Sequence, residues 1–368
     1  MANPDLLIIG GGIIGCSAAA FAAERGASVL LIEATDLGAG ASGRNSGAVQ
    51  HPFDPVLAPL HRRTLEIYRQ LSDDDGFAFP ANPAGLLLLT DDLDAAAARI
   101  VELRDQEPSL APELLNETNL REMEPLIAPG LCAIRLATGY PIPPEAATRA
   151  MAARARRAGA EIRIGHRVTE LSDGGAALED GTPLLAGSVL VTAGPWSAEL
   201  IDPTRGWRPI RPTYGVTLQV ALSAAPTSIL EEGAVHTVNR PVADDERADG
   251  LITFSMVSVR GTSTVGSTFL SVAPDPATMT PELLAHGARF VPGLREATIL
   301  RSRVCARPQS VDGHPFIGPV LGGRAGPFVA AGHGPWGIST GPATAELAIA
   351  AILDGAAIPA GLEAARPI

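Results

Sequence analysis

The chain opens with two short apolar runs on either side of an alanine-rich stretch. The runs Asp5–Ile9 and Ser28–Ile32 are dominated by Leu, Ile and Val, and the intervening Ile14–Arg25 is followed by Gly26. Continuous apolar runs of this length are typical of buried strands, and glycine commonly ends a helix. The pattern therefore predicts a β-α-β unit at the N-terminus.

Strand-helix alternation returns after residue 144 and again near the C-terminus, whereas two intervening stretches have a different character. Further helices are predicted at 60–71, 91–105, 145–158, 281–290 and 342–353, and strands at 85–90, 161–165, 188–192, 217–221, 251–259, 263–270 and 327–331. The pattern predicts an α/β protein with a discontinuous Rossmann-like domain and a second, α+β domain built on a mostly antiparallel sheet. The predicted ranges are 1–80, 141–206 and 300–368 for the first domain, and 81–140 and 207–299 for the second.

Length, charge and cysteine content limit the class of protein. A chain of 368 residues is long enough for two cores. A formal net charge of −12 argues against nucleic acid or an anionic membrane surface as the partner and favours a small molecule. No apolar run approaches the length of a membrane span, and no signal peptide is evident, which predicts a soluble cytoplasmic protein. The three cysteines show neither disulfide nor metal-site spacing, so no metal is expected.

A glycine fingerprint follows the first predicted strand. Gly10, Gly12 and Gly15 form GxGxxG around Ile13 and Ile14, and a carboxylate, Glu33, ends the second strand just before Ala34. Glycines at this turn let a pyrophosphate approach the backbone at a helix N-terminus, and the carboxylate accepts hydrogen bonds from a ribose. The fingerprint predicts a dinucleotide site, with NAD and FAD both open.

The next loop favours FAD. Its candidate cofactor-binding residues are Ser42, Gly43, Arg44, Asn45, Ser46 and Gly47. Backbone amides, hydroxyls and one fixed cation suit an extended dinucleotide with a flavin ring beyond its diphosphate. The alternative is a flexible linker without a ligand.

Four blocks along the chain together resemble the D-amino-acid oxidase family, which includes glycine oxidase and sarcosine oxidase. They are the fingerprint with Glu33, the 41–47 loop, the segment 193–197, and the C-terminal pair 307–318 and 332–342. The resemblance implies a glutathione-reductase-type FAD-binding domain. It adds as flavin-contacting residues Val168, Ala193, Gly194, Trp196, Gly332, His333, Gly334, Trp336, Gly337, Ile338, Ser339 and Thr340. Backbone N–H groups at Gly337–Thr340 would converge on one point and stabilise the charge of a reduced flavin, although simple packing is an alternative for His333 and Trp336.

The resemblance also implies a substrate residue. Arg307 lies where glycine-oxidase-like members bind the substrate carboxylate, close to the flavin, and the alternative is a salt bridge to Asp312 or another acid. Gln50 and His51 follow the flavin loop and are candidates to line the site. Cys305 lies where sarcosine-oxidase-like members link covalently to the flavin, but a buried packing role is favoured, and with it a non-covalent FAD.

The resemblance thus implies oxidation of the C–N bond of an amino acid or of an N-substituted or cyclic amino acid, by hydride transfer to the flavin N5, with O2 as acceptor. A dehydrogenase of amino or 2-hydroxy acids that uses a quinone or carrier is an alternative. Another is a flavin-binding subunit of an amine-oxidising complex. Neither the substrate side chain nor a homo-oligomeric state follows from the sequence.

Overall fold

A computed structural model describes residues 3–71, 77–233, 251–320 and 326–367, and of Leu251 the backbone alone. Parts of the predicted domains, at 72–76, 234–250 and 321–325, lie outside these residues. Within the described ranges the N-terminal β-α-β unit is confirmed. It consists of β1 (Leu6–Ile9), α1 (Ile13–Glu24) and β2 (Val29–Glu33).

A six-stranded sheet carries this unit. Its order is β18 (Phe316–Pro319), β19 (Phe328–Ala331), β12 (Ser188–Val191), β1, β2 and β8 (Glu161–Ile164). All neighbours are parallel except β18 and β19. The central strands are buried on both faces, as their unbroken apolar sequences require.

Helices cover one face of this sheet and a small antiparallel sheet covers the other. The helices that share a core with the first face are α1, α3 (Ala58–Arg69), α6 (Ala146–Arg157) and α9 (Gly337–Asp354). The small sheet consists of β9 (Val168–Ser172), β10 (Gly175–Leu178) and β11 (Pro183–Leu185), and α7 (Ser197–Ile201) packs in the same core. This layering positions the N-termini of α1 and α9 side by side, since a Cβ on Gly341 would lie 3.1 Å from Ile14 Cγ1.

The second sheet has eight strands and is antiparallel except for one pair. Its order is β17 (Thr298–Ser310), β13 (Ile210–Ala221), β16 (Thr262–Phe269), β15 (Leu251–Val259), β14 (Ile229–Glu232), β4 (Leu86–Thr90), β6 (Cys132–Leu136) and β5 (Glu113–Leu115). Only β14 and β4 run parallel. Its associated helices are α4 (Leu93–Gln106), α5 (Glu117–Met123) and α8 (Pro276–Gly287).

Two short elements complete the described structure near the loop 41–47, called the cofactor loop below. They are α2 (Ala41–Arg44) and a two-stranded pairing of β3 (Ala48–Val49) with β7 (Tyr140–Pro141). None of the helices in the described ranges is both long and apolar enough to cross a membrane.

Three sequence predictions need correction. The domain boundary predicted at residue 300 falls inside β17, which belongs to the eight-stranded sheet because it pairs with β13 from Ile210 to Ala221. The helix predicted from 281 begins at Pro276, because Asp275 caps it by accepting a hydrogen bond from Ala277 N. The last helix begins at Gly337 and contains Pro342, instead of starting there.

Candidate active site

The glycine fingerprint forms a turn in which backbones approach too closely for side chains. Gly10 has φ +111°, and a Cβ on Gly15 would lie 1.9 Å from the Gly10 carbonyl oxygen. Ser42 Oγ accepts a hydrogen bond from Ile13 N at 3.0 Å, at the start of α1. A hydroxyl and helix-terminal N–H groups therefore meet beside Gly12, the arrangement that binds a diphosphate.

Glu33 lies beside this turn at the end of β2. Its Oε2 accepts a hydrogen bond from Gly11 N at 2.7 Å, and its Oε1 accepts from Thr35 N at 2.9 Å. The Glu33 carbonyl accepts from His166 N, which places Val168, two residues further on, close to the same end of the sheet. The geometry matches a carboxylate that binds a ribose, with Ala34 next to it.

The loop after Glu33 is held in place by its own side chains. Asn45 Nδ2 donates to Ser42 O at 2.7 Å, and Asn45 Oδ1 accepts from Gly47 N at 2.8 Å. Gly47 has φ +87° and packs against Ile142, where a Cβ would lie 2.2 Å from the carbonyl oxygen. The flexible-linker alternative is therefore wrong.

Two arginines connect this loop to β17. Arg44 Nη1 donates to Val304 O at 3.1 Å, and Arg303 Nη1 donates to Gly43 O at 3.3 Å. Arg44 thus contacts the substrate-side sheet, a contact that the sequence did not predict. Ser46, which precedes Gly47 in the loop, is half-buried.

The two glycine segments that end in Trp196 and Trp336 lie at the same edge of the six-stranded sheet. Each is a short 3-10 turn, Gly194–Trp196 and Gly334–Trp336, directly after a central strand. A Cβ on Gly10 would meet Thr192 O at 2.6 Å, so Ala193 adjoins the fingerprint. Trp196 is exposed, and its Cζ3 would lie 4.0 Å from a Cβ placed on Gly40, which is van der Waals contact distance.

The first turn of α9 comprises Gly337, Ile338, Ser339 and Thr340, so their N–H groups point out of the helix N-terminus as the sequence predicts. His333 is buried just before it, and its Nε2 lies 3.0 Å from Thr344 Oγ1. Burial lowers the pKa of His333 to about 3, which keeps the ring neutral. Its Nδ1 has no partner among the described residues, whereas the Gly332 and Gly334 backbones take positive φ beside it.

Arg307 is buried on β17, and its guanidinium extends across the sheet. Nη1 donates to Thr268 O at 2.9 Å, and Nη2 donates to Ser267 Oγ. Its Cζ lies 4.5 Å from the Phe269 ring centre, and a Cβ on Gly215 would lie 2.2 Å from Nη2. The absence of a side chain at Gly215 therefore makes room for the guanidinium.

The predicted salt-bridge alternative for Arg307 with Asp312 is wrong. Asp312 Oδ2 pairs instead with Arg366 Nε at 2.7 Å. In the described part of the chain, no carboxylate forms an ion pair with Arg307, and burial lowers its pKa. A buried guanidinium with neutral partners alone is suited to an anionic ligand.

Cys305 lies two residues before Arg307 on the same face of β17. It is a buried free thiol, and burial raises its pKa. A neutral, enclosed thiol is the state expected of a packing residue.

Gln50 and His51 follow β3 and are both buried. Gln50 N donates to Ser339 Oγ at 3.0 Å, which brings Gln50 to the first turn of α9. His51 Nδ1 accepts from Phe53 N, and its ring lies edge-on to His61. Burial lowers the pKa of His51 to about 4, so this ring is neutral near pH 7.

Sequence reasoning missed Glu231, which is buried on β14 and accepts a hydrogen bond from Gln50 Nε2 at 2.8 Å. Burial raises the pKa of Glu231 to about 7. A buried carboxyl next to a predicted site residue is a frequent mark of function. The available signal was alternation in β14, where Ile229 and Glu231 share one face and Leu230 the other.

Comparison with known proteins identifies the family of the chain. Residues 5–351 match the DAO family, described as FAD dependent oxidoreductase. Glycine oxidase of Pseudomonas putida is 26% identical over 365 residues, covering 94% of this chain and 93% of that protein. The crystal structure of glycine oxidase from Geobacillus kaustophilus covers 100% of both chains at a TM-score of 0.84 and 22% identity.

A third relative, a component of the anaerobic glycerol-3-phosphate dehydrogenase of Escherichia coli, is longer than this chain. It is 28% identical over 330 residues, and the match covers 83% of this chain and 57% of that relative. The chain thus spans little more than half of the first curated relatives that it matches. Because the family match extends over nearly the whole sequence, the chain belongs to the DAO family of FAD-dependent oxidoreductases.

Proposed function

We propose that the protein oxidises the C–N bond of an amino acid, or of an N-substituted or cyclic amino acid, of the glycine, D-amino-acid or sarcosine type, with O2 as electron acceptor. Membership of the DAO family establishes a flavoenzyme, and the similarity to glycine oxidase supports an amino-acid substrate. FAD, when bound, supplies the hydride acceptor. The protein's own residues then bind and orient the substrate.

The observation that carries this proposal is the buried guanidinium of Arg307. Its described contacts are a carbonyl, a hydroxyl and the Phe269 ring, none of which neutralises its charge. A substrate carboxylate would supply the missing negative charge through a charge-assisted hydrogen bond. We therefore assign Arg307 to the substrate carboxylate.

The cofactor roles proposed for the other residues follow the contacts above. The fingerprint turn and Ser42 are assigned to the diphosphate, Glu33 to the ribose, and the first turn of α9 to the pyrimidine end of the flavin. Gln50 and His51 stay predicted residues of the site wall. The thiol of Cys305 is assigned a packing role, with FAD bound non-covalently.

The test is anaerobic bleaching of the flavin by a panel of glycine, sarcosine, D- and L-amino acids and proline. At least one should bleach the wild type. Arg307→Ala should lower the bleaching rate at limiting substrate by on the order of 10- to 100-fold, the loss of a charge-assisted hydrogen bond, while FAD stays bound.

Arg301→Ala is the matched control, because Arg301 lies on the same strand but is exposed. It should behave as the wild type. Unchanged kinetics in Arg307→Ala would remove Arg307 from the substrate role, and a wild type that no compound bleaches would overturn the proposed function.

A second candidate function is a dehydrogenase of amino or 2-hydroxy acids that passes electrons to a quinone or carrier, alone or within a larger complex. The similarity to the E. coli dehydrogenase component favours it. Oxygen consumption with peroxide release during turnover supports the oxidase. Turnover only with an added quinone analogue supports the dehydrogenase.

A further inference from the structure

A row of polar positions crosses the eight-stranded sheet on one face. Strand register places Arg303 opposite Thr217, Thr217 opposite Gly266, Gly266 opposite Ser255, and Ser255 opposite Glu231. Neighbouring positions point away from this face, into the apolar core that contains Leu218, Leu230, Phe254, Met256 and Val265. The five polar-row residues therefore face the same way although they come from five strands.

Gly43 of the loop 41–47 and Gln50, which follows β3, contact the two ends of this polar row. Arg303 Nη1 donates to Gly43 O at one end, and Gln50 Nε2 donates to Glu231 at the other. Between these ends Gly266 has no side chain, and Ser255 is only half-buried. The polar row therefore runs beneath the segment from Gly43 to Gln50.

Several buried polar atoms along the polar row and at Gln50 have no partner among the described residues. They are Arg303 Nε, Thr217 Oγ1 and Gln50 Oε1. Gln50 is 4% exposed, so water in bulk does not satisfy its amide oxygen. Buried polar atoms in native proteins are nearly always paired, so a cluster of unpaired ones indicates a polar ligand.

Arg307 lies next to the row. Its guanidinium contacts Ser267 and Thr268, which directly follow Gly266 on β16, whereas Glu231 lies two strands away on β14. The two strand spacings from β16 to β14 add up to about 10 Å, and the Glu231 side chain reduces the distance that a ligand must cover. A small molecule with a carboxylate at Arg307 can therefore present a neighbouring nitrogen to Glu231 and Gln50.

We propose that Glu231 and Gln50 form the subsite for the substrate nitrogen, and that Glu231 accepts the proton that a substrate ammonium group must lose before oxidation. This inference rests on the proposed amino-acid oxidation. Gln50 Oε1 accepts a hydrogen bond from the nitrogen. One N–H bond breaks and one O–H bond forms on Glu231; the freed lone pair becomes the second C–N bond as the hydride leaves Cα.

The electrostatic surroundings are compatible with this role. The titratable and charged groups near the row or Gln50 in the described residues are Arg303, Cys305, Arg307, the pair of His51 with Glu107, and, around Arg303, Arg44, Glu145 and Arg301. Cys305 and His51 are neutral near pH 7, and burial is the main influence on the pKa of Glu231, opposed by the hydrogen bond from Gln50. With burial raising its pKa to about 7, Glu231 gives up and regains a proton in the range where an enzyme operates.

The test is the pH dependence of flavin reduction in Glu231→Gln, which keeps an acceptor for Gln50. In the wild type, anaerobic reduction at limiting amino acid should rise through pH 7. In Glu231→Gln the rate at pH 7.5 should fall on the order of 100-fold and recover toward the pKa of a free aliphatic amine, about 10. Glu232→Gln is the matched control, because Glu232 lies on the opposite face and pairs with His286.

Binding of acetate gives a second measurement without turnover. Acetate has a carboxylate but no amine, so its dissociation constant, from the flavin spectrum, should rise in Arg307→Ala and stay within about twofold of the wild type in Glu231→Gln. Equal weakening of acetate and amino acid in Glu231→Gln would show a structural role and overturn the inference. A wild-type pH profile in Glu231→Gln would overturn it too, while the proposed function would stand. A wild type that no amino acid reduces would overturn both.

Discussion

The six-stranded sheet buries apolar side chains on both faces of its central strands, whereas the eight-stranded sheet buries apolar side chains on one face and a polar row on the other. In the first sheet the cofactor site depends on backbones that approach closely at Gly10 and Gly15. In the second, the candidate substrate site depends on the register of five strands. The fingerprint turn of the first site is formed by neighbouring residues, whereas the second site joins residues that lie far apart in the sequence.

The largest expected effect comes from adding a methyl group in the glycine fingerprint. In Gly15→Ala the new Cβ would lie 1.9 Å from Gly10 O, which forces the turn apart. We expect loss of FAD and a fall of about 1–3 kcal/mol in the free energy of unfolding. Flavin absorbance per protein and urea denaturation measure both.

Gly293→Ala is the control for this change, since no atom lies within 4 Å of its ideal Cβ. It should retain FAD and stability. Full FAD occupancy in Gly15→Ala would show that close packing at the fingerprint does not decide cofactor binding.

A methyl group in the other sheet should leave the cofactor in place. In Gly215→Ala the Cβ would lie 2.2 Å from Arg307 Nη2 and displace the guanidinium. We expect kcat/KM to fall about 10- to 100-fold, the loss of a charge-assisted hydrogen bond, with normal FAD content. Loss of FAD together with activity would instead show that the two sheets do not act separately.

The smallest expected effect concerns a pair of residues to which no ligand role is assigned. His314 Nε2 lies 3.0 Å from Asp54 Oδ2, and this hydrogen bond raises the pKa of His314. The pair's contribution is complete below the pKa of an unfolded histidine, about 6.5, and is lost as pH rises through the higher folded pKa. Its size should be below about 1 kcal/mol.

Urea denaturation of the wild type and His314→Gln at pH 6 and pH 9 measures this contribution. The difference in the free energy of unfolding between the two proteins should be larger at pH 6. Equal differences at both pH values would contradict a charged pair. The kcat/KM values of the two proteins should agree.

The elements around the glycine fingerprint could be predicted from the sequence because their signals are local. The first two strands and their helix are confirmed to within a residue or two at each end, since an unbroken apolar run and a glycine turn determine them. The last helix was also predicted, but its start was placed at Pro342, five residues after the observed start at Gly337. Pro342 lacks the N–H that would bond Ile338 O, and Tyr68 Oη donates to that carbonyl at 2.8 Å instead.

The part of the eight-stranded sheet that carries Arg307 and Glu231 was harder to predict for a physical reason. In β17 the buried positions include Arg303 and Arg307, so the hydrophobic alternation that identifies a strand is inverted, and the strand was missed. Glu231 lies in a short mixed segment, with Ile229 and Leu230 before it and Glu232 after it, that matches no motif. Its partner Gln50 is 181 residues away in sequence, and only the folded chain joins them.

The two reciprocal hydrogen bonds between the cofactor loop and β17 couple the affinities of two ligands. Arg44 binds the backbone of Val304, and Arg303 binds the backbone of Gly43, so the loop cannot move without disturbing the strand that carries Arg307. A ligand that restricts the motion of β17 therefore also restricts the motion of the loop 41–47. By thermodynamic linkage, substrate and cofactor should each raise the affinity of the protein for the other by the same factor.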